Sequence, residues 1–178
     1  VRRWVRNSQL ELGKTGTPPY DLFLETLPFE ETREYGRKLV LGGITIPFEK
    51  GLLGHSDADV LVHALMDALL GAASMGDIGM HFPDTDDRYR DISSIKLLRH
   101  VTGIIREKGY HICNADIIVM AQQPKIAKFT REIKENLAEA MGIEEDFVNI
   151  KGTTTEKMGT IGKGEGIAAE AACLLIKY

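Results

Sequence analysis

The apolar positions change period along the chain, and the changes mark out its elements. From Lys38, KLVLGGITIPF is apolar and β-branched on both sides of Gly42-Gly43, which predicts two strands joined by a tight turn, or one bulged strand. In residues 51–67, GLLGHSDADVLVHALMD, the spacing becomes helical. Ser56 three residues ahead of Asp59 reads as a capping box, so a helix is predicted over 57–72. Residues 76–91, GDIGMHFPDTDDRYRD, show turn residues instead of a period and are predicted as loop. Ile95, Leu98, Thr102 and Ile105 predict a helix over 93–108, capped by Ser93 or Ser94 and stopped by Gly109. A strand follows over 110–121, then a helix over 126–141 whose apolar face is Ile126, Phe129, Ile133 and Leu137 and which ends at Gly142. FVNIKGTTT is a short strand, and GIAAEAACLLIKY is a last strand whose small residues allow close packing, including against another subunit.

The first 36 residues follow no such pattern. Gly13, Gly16, Pro18 and Pro19 break the start, residues 1–17 read as an extension, and Asp21 to Leu27 is predicted as a helical turn or two. The division is therefore 1–36, an atypical N-terminal segment, and 37–178, one domain. The fold class is α+β: a mixed sheet covered on one face by helices.

Composition narrows the function. The chain is 178 residues long, enough for one domain with a sizeable core, and carries a net charge of −4. That balance gives no support for broad nucleic-acid or anionic-membrane binding, so any phosphate site must be local. No run is long enough to span a membrane. The two cysteines, Cys113 and Cys173, have no metal-ligand spacing and read as buried small hydrophobes in a reducing compartment, which predicts a cytoplasmic protein.

The chemistry gathers in four stretches. His55 precedes a helix start, where free N–H groups and the helix dipole favour an anion, and His63 on the helix is a candidate metal ligand. On that helix Asp59, His63 and Asp67 share a face at i, i+4 steps. Asp77, Asp84, Asp86 and Asp87 form a second acidic cluster able to take polyol hydroxyls or a divalent ion, although turn-forming aspartates at a solvated surface are commoner. Thr153-Thr154-Thr155-Glu156-Lys157 ends a strand, offering hydroxyls to phosphate and a carboxylate to a hard cation. Ala121-Gln122-Gln123-Pro124-Lys125 can present backbone groups to a base edge. The loop GTIGKGEG lacks P-loop spacing. His81, His100 and His111 show no partner in the sequence.

GLLGHSDADVLVHALMDALLGAASMGDIG, FPDTD, AQQPK, KGTTTEKMG and GKGEGIA, in that order, closely resemble the 2-C-methyl-D-erythritol 2,4-cyclodiphosphate synthase family of non-mevalonate isoprenoid biosynthesis, from about Lys38 to Tyr178. The resemblance implies a lyase that closes 4-diphosphocytidyl-2-C-methyl-D-erythritol 2-phosphate to the cyclic diphosphate and releases CMP. It implies a homotrimer with active sites between neighbours. It also implies a zinc-type ion, with His63 among its ligands, and a magnesium or manganese ion on the substrate phosphates, near Glu156. By matching positions, His55 and Ser56 are phosphate contacts, and His55 and Thr154 assist the transition state. Asp77, Ile78 and Gly79, with Phe82, Pro83, Asp84, Thr85 and Asp86, contact ribose and erythritol. Ala121, Gln122, Gln123, Pro124 and Lys125 bind cytosine, and Thr153, Thr154, Thr155 and Glu156 bind phosphate. Lys163 stands where the family usually has arginine, keeping charge without bidentate binding.

One motif of the family does not match. Its first strand carries Asp-x-His, two further ligands of the first metal, whereas counting back from Gly42-Gly43 puts Phe29 and Glu31 there. His63 alone is short of the three protein ligands of a usual catalytic zinc site. Glu30, Glu31 and Asp21 are the nearby acids, and none matches the motif. The alternative reading is an impaired relative that binds cytidine nucleotide and trimerises without a complete metal site. The segment PPYDLFLETLPFEE faintly resembles the tail of the pathway's cytidylyltransferase, which implies fusion to or association with that enzyme.

Overall fold

Gly42 and Gly43 have φ of 60° and 76°, the left-handed pair that a two-residue hairpin turn requires. They join β3 (Leu39–Leu41) to β4 (Ile44–Ile46), as the sequence predicts. The computed structural model describes residues 36–177 and the backbone of two earlier strands, β1 (Arg3–Val5) and β2 (Leu22–Leu27). Helices α1 (Val60–Ala72), α2 (Ile78–His81) and α3 (Ser94–Glu107) follow, then β5 (Tyr110–Met120), α4 (Thr130–Met141), β6 (Val148–Thr153), the short α5 (Gly159–Gly162) and β7 (Ile167–Lys177).

The main sheet has the order β1-β2-β7-β5-β6. β7 runs antiparallel to both β2 and β5, and β6 runs parallel to β5, so the sheet is mixed and the fold is α+β. Side chains alternate as the strand period demands. Ile117, Val119, Ala169 and Ala171 are fully buried on the face that α1 covers, while Asp116, Ile118, Glu170, Ala172 and Leu174 on the other face keep part of their surface. The alanines of β7 thus serve close packing of a helix on a sheet within the chain. α1 lies between the sheet and α3, and is apolar nearly all round because both sides are covered. Leu61, Leu65 and Leu69 have no exposed surface, and each such burial stabilises by about 1.5–3 kcal/mol.

Several expectations are corrected. Asp21 to Leu27 forms no helical turn over its described part. Leu22–Leu27 pairs with β7, whose open edge offers N–H and C=O groups that a local helical preference does not outweigh. Arg3–Val5 pairs in turn with β2. Asp21, Phe29, Glu30 and Glu31 lie outside the described residues. α1 begins at Val60 and not near Asp57, since Asp59 itself is the N-cap and accepts the Val62 N–H. The Ser56–Asp59 capping box is not formed; Ser56 Oγ accepts the Ala58 N–H. The helix expected over 126–141 is a short 3-10 turn, Ile126–Lys128, followed by α4. Residues 76–91 are not all loop, because Asp77 caps the single turn α2. Cys113 is only half-buried, beside a register shift in the β5–β7 ladder, whereas Cys173 is buried as expected.

Candidate active site

Asp59 sets the frame of the site. Its carboxylate accepts N–H groups from Gly42 (3.0 Å), Gly43 (2.6 Å) and Val62 (3.2 Å), so one buried side chain binds the hairpin turn to the start of α1. Burial drives its pKa up to about 7 against the pull of those N–H donors. Asp59 therefore faces the hairpin and does not support His63. Asp67, one turn after His63, accepts the Ile78 N–H at 2.8 Å and anchors the loop that carries α2.

Between these anchors lies a cavity of about 370 Å³. Eight residues expected at the site line it: His55 and Ser56 before α1, His63 on α1, and Ile78, Gly79, Phe82, Pro83 and Asp84 from the following loop. The loop 54–57 is held by Arg37, which donates to the carbonyls of Gly54 (3.0 Å) and Ser56 (2.7 Å), and by main-chain bonds to 91–92. Asp86 lies close enough to His55 to feel its charge. Its carboxyl is held below the usual range chiefly by hydrogen bonds from Arg88, at 2.6–3.1 Å. The sequence reading missed Gly54, Met66, Tyr89 and Leu97 as lining residues. Tyr89 stacks edge-on against Phe82, and no motif marks such a contact in advance. Asp77 contributes the N-cap of α2, and its side chain accepts the Met80 N–H at 3.0 Å.

His63 reaches from α1 into the cavity. Ser56 Oγ and Ser94 Oγ both lie near its Nε2, at 3.1 and 3.0 Å. Enclosure by protein lowers its pKa to about 4, against a small opposing effect of Asp57, so the ring is neutral at physiological pH. Ser94 and Asp57 were not singled out as site residues in the sequence. The expectation that Ser93 or Ser94 caps α3 through its own side chain is also corrected: Asp57 supplies the carboxylate that accepts the Ser94 N–H at 2.9 Å. Other histidines have structural neighbours. His81 Nε2 bonds the Met75 carbonyl at 2.9 Å, and His100 meets the Phe82 ring.

The strand ends form a second patch. The C-terminal ends of β5 and β6 are adjacent, and the Ala121 N–H donates to the Thr153 carbonyl. The Lys157 N–H donates to Gln122 Oε1 at 3.2 Å, so the segment 121–125 and the threonine loop form one surface. Thr154 Oγ1 donates to Glu156 Oε1 at 2.7 Å, and Thr155 Oγ1 to the Met158 carbonyl at 2.7 Å. Glu156 and Lys157 both hold left-handed backbone, φ 51° and 65°, unfavourable for residues other than glycine and common where function fixes a loop. Lys163 is exposed at the end of α5. Among the described residues no group of three or more His, Cys, Asp or Glu is placed to hold a metal ion, so those around His63 fall short of a three-ligand site.

The YgbB family model matches residues 27–176. A 2-C-methyl-D-erythritol 2,4-cyclodiphosphate synthase of Alkaliphilus oremlandii is 55% identical over 141 residues, 79% of this chain and 90% of that protein. Among solved structures, the bifunctional IspDF of Campylobacter jejuni is 40% identical with a TM-score of 0.80; the match covers 91% of this chain and 44% of that one. The IspF–CDP complex of Plasmodium falciparum is 35% identical with a TM-score of 0.71, covering 89% of this chain and 92% of that one. A family match across 27–176, joined by identity and fold over the same stretch, shows that the chain belongs to the YgbB family, alongside these cyclodiphosphate synthases.

Proposed function

We infer that the chain converts 4-diphosphocytidyl-2-C-methyl-D-erythritol 2-phosphate to 2-C-methyl-D-erythritol 2,4-cyclodiphosphate and CMP; the cyclic diphosphate is the product that its relatives' names give. The observation that carries this is the cavity, which gathers His55, Ser56, His63 and the 78–84 loop in a chain more than half identical to such synthases. In the reaction an oxygen of the 2-phosphate attacks the β-phosphorus. The bond from that phosphorus to the oxygen bridging to the α-phosphate breaks, and CMP leaves with that oxygen. The protein's share is to position the phosphates in line and stabilise charge. His55, the Ser56 hydroxyl and the N–H groups before α1 would hold phosphate oxygens. Thr154 would serve the transition state from the second patch, and 121–125 would take the cytosine. The relative holding CDP supports a cytidine site. Relatives named as synthases favour catalysis over a binding-only role.

The ions expected for such a reaction fit unequally. Glu156 is an exposed carboxylate beside a threonine hydroxyl, suited to a magnesium or manganese ion that is otherwise held by substrate phosphates and water. Such an ion neutralises phosphate charge. The described residues around His63 do not amount to a zinc site. A homotrimer is part of the same reading. The half-exposed face with Ile118, Ala172 and Leu174 is available to a second copy, which would bring one chain's threonine loop toward another's cavity. The bifunctional relative supports fusion to or association with the pathway's cytidylyltransferase. No helix among the described residues is long and apolar enough to cross a membrane; we place the enzyme in the cytoplasm with its pathway. The test is CMP release by the purified chain with and without added zinc and magnesium. Release that depends on a divalent ion supports the reading; none under any metal condition, from an intact oligomer, overturns it.

A further inference from the structure

Ser94 is fully buried at the start of α3, and its hydroxyl stands between two partners. Its Oγ lies 2.5 Å from Asp57 Oδ1 and 3.0 Å from His63 Nε2. Asp57 is otherwise an acceptor too: Oδ2 takes the Ser94 N–H at 2.9 Å, and Oδ1 takes the Asp59 N–H at 3.3 Å. A carboxylate with only donors around it has no proton to give, so the Ser94 proton lies in the bond to Asp57. Ser94 Oγ then offers His63 only a lone pair, and Nε2 must carry hydrogen to meet it. Ser56 Oγ, 3.1 Å from the same nitrogen, can accept alongside. A neutral imidazole has one N–H, which leaves Nδ1 bare.

We propose that Asp57 and Ser94 are positioning residues that fix His63 in its Nε2–H tautomer, making Nδ1 the ring's one electron-pair donor. A cap for α3 explains only part of the arrangement. The bond from the Ser94 N–H to Asp57 Oδ2 supplies that cap, and the Ser94 hydroxyl adds nothing to it. The hydroxyl has work only if the ring's orientation and tautomer matter. The effect on turnover rests on the proposed synthase function; the tautomer itself does not.

The test is long-range proton–nitrogen correlation NMR on the full chain labelled with 15N-histidine at neutral pH, with the His63 signals identified by their loss in His63→Gln. The wild-type ring should show a pyrrole-type Nε2 and a pyridine-type Nδ1. In Asp57→Asn the amide oxygen still accepts the Ser94 N–H, but the amide NH2 donates to Ser94 Oγ. The Ser94 proton then turns to His63, and the two nitrogens should exchange character. Ser94→Ala keeps the cap and removes the hydroxyl, so its His63 shifts should move toward a mixture of tautomers. A wild-type Nδ1–H, or an Asp57→Asn ring with unchanged assignment, overturns the proposal. Should Asp57→Asn not fold, the wild-type and Ser94→Ala spectra decide, and unchanged Ser94→Ala shifts overturn the role of Ser94. CMP release separates the two claims. An inactive chain with an Nε2–H ring defeats the synthase reading alone, and an active chain with an Nδ1–H ring defeats the tautomer alone.

Discussion

Buried Asp59 and half-buried His63, a turn apart, titrate in opposite senses. Asp59 has its pKa raised from 3.8 to about 7, so its contribution to stability is present below pH 3.8 and is lost as pH rises toward 7. His63 has its pKa lowered from 6.5 to about 4, so its contribution is present above pH 6.5 and is lost as pH falls toward 4. Between about pH 4 and 6.5 the two slopes oppose each other. Equilibrium unfolding of Asp59→Asn should therefore gain stability with rising pH over that window, and His63→Gln should lose it, with the parent chain flatter than either. Parallel curves for all three would refute this pairing. His55→Ala should lower CMP release roughly a hundredfold or more if His55 stabilises transferring phosphate, with near-native melting. An unchanged kcat would remove it from that role.

At the scale of elements, the β3–β4 turn is fixed from three sides. Asp59 takes its N–H groups, Asn136 Nδ2 donates to the Gly42 carbonyl at 2.6 Å, and Ile133 of α4 closes on Gly42. A Cβ at Gly42 would sit 2.2 Å from Ile133 Cγ2, on backbone with φ of 60°. Left-handed strain and overpacking together predict that Gly42→Ala costs about 2–4 kcal/mol. Chemical denaturation checks this, and a loss under about 0.5 kcal/mol, within the range of ordinary surface changes, would mean that the turn readily shifts. Because Asp59 joins this turn to the first turn of α1, the same substitution should disturb the His55–Ser56 loop. The element boundaries follow from such contacts: α1 starts where Asp59 can cap it, and α3 where Asp57 reaches its first N–H.

For the whole molecule, the open question of chemistry becomes one of assembly. Helices cover one face of the sheet, and the other carries Ile118, Ala172 and Leu174 beside the Asp116–Lys151 pair at 2.6 Å. If that face joins copies, Leu174→Glu should place a charge in the interface. Light scattering should then report species smaller than the parent's, and CMP release should fall with them. A parent chain that is monomeric while active would overturn the shared-site arrangement. Removing divalent ions with a chelator should abolish release and magnesium should restore it, with Glu156→Gln needing more magnesium than the parent.

The sequence alone determined much of this protein. Apolar and β-branched runs located β3–β4, β5 and β7, and helical spacing located α3, because those patterns reflect which side chains meet the core; Gly109 and Gly142 marked helix ends that need left-handed backbone. Eight of the cavity's lining residues were also legible, since they stand in short contiguous motifs. Tertiary structure decided the rest. Strand β2 forms because β7 offers an edge to pair with, which no local preference encodes. Asp59 and Asp67 both read from helical spacing as neighbours of His63; the Asp59 carboxylate takes the N–H groups of Gly42, Gly43 and Val62, and Asp67 accepts the Ile78 N–H. The serine that meets His63 and the carboxylate behind it lie 37 residues apart, joined only when α3 packs against α1. A hydrogen-bond network of this kind depends on distances across the fold, and those exist only once the chain has packed.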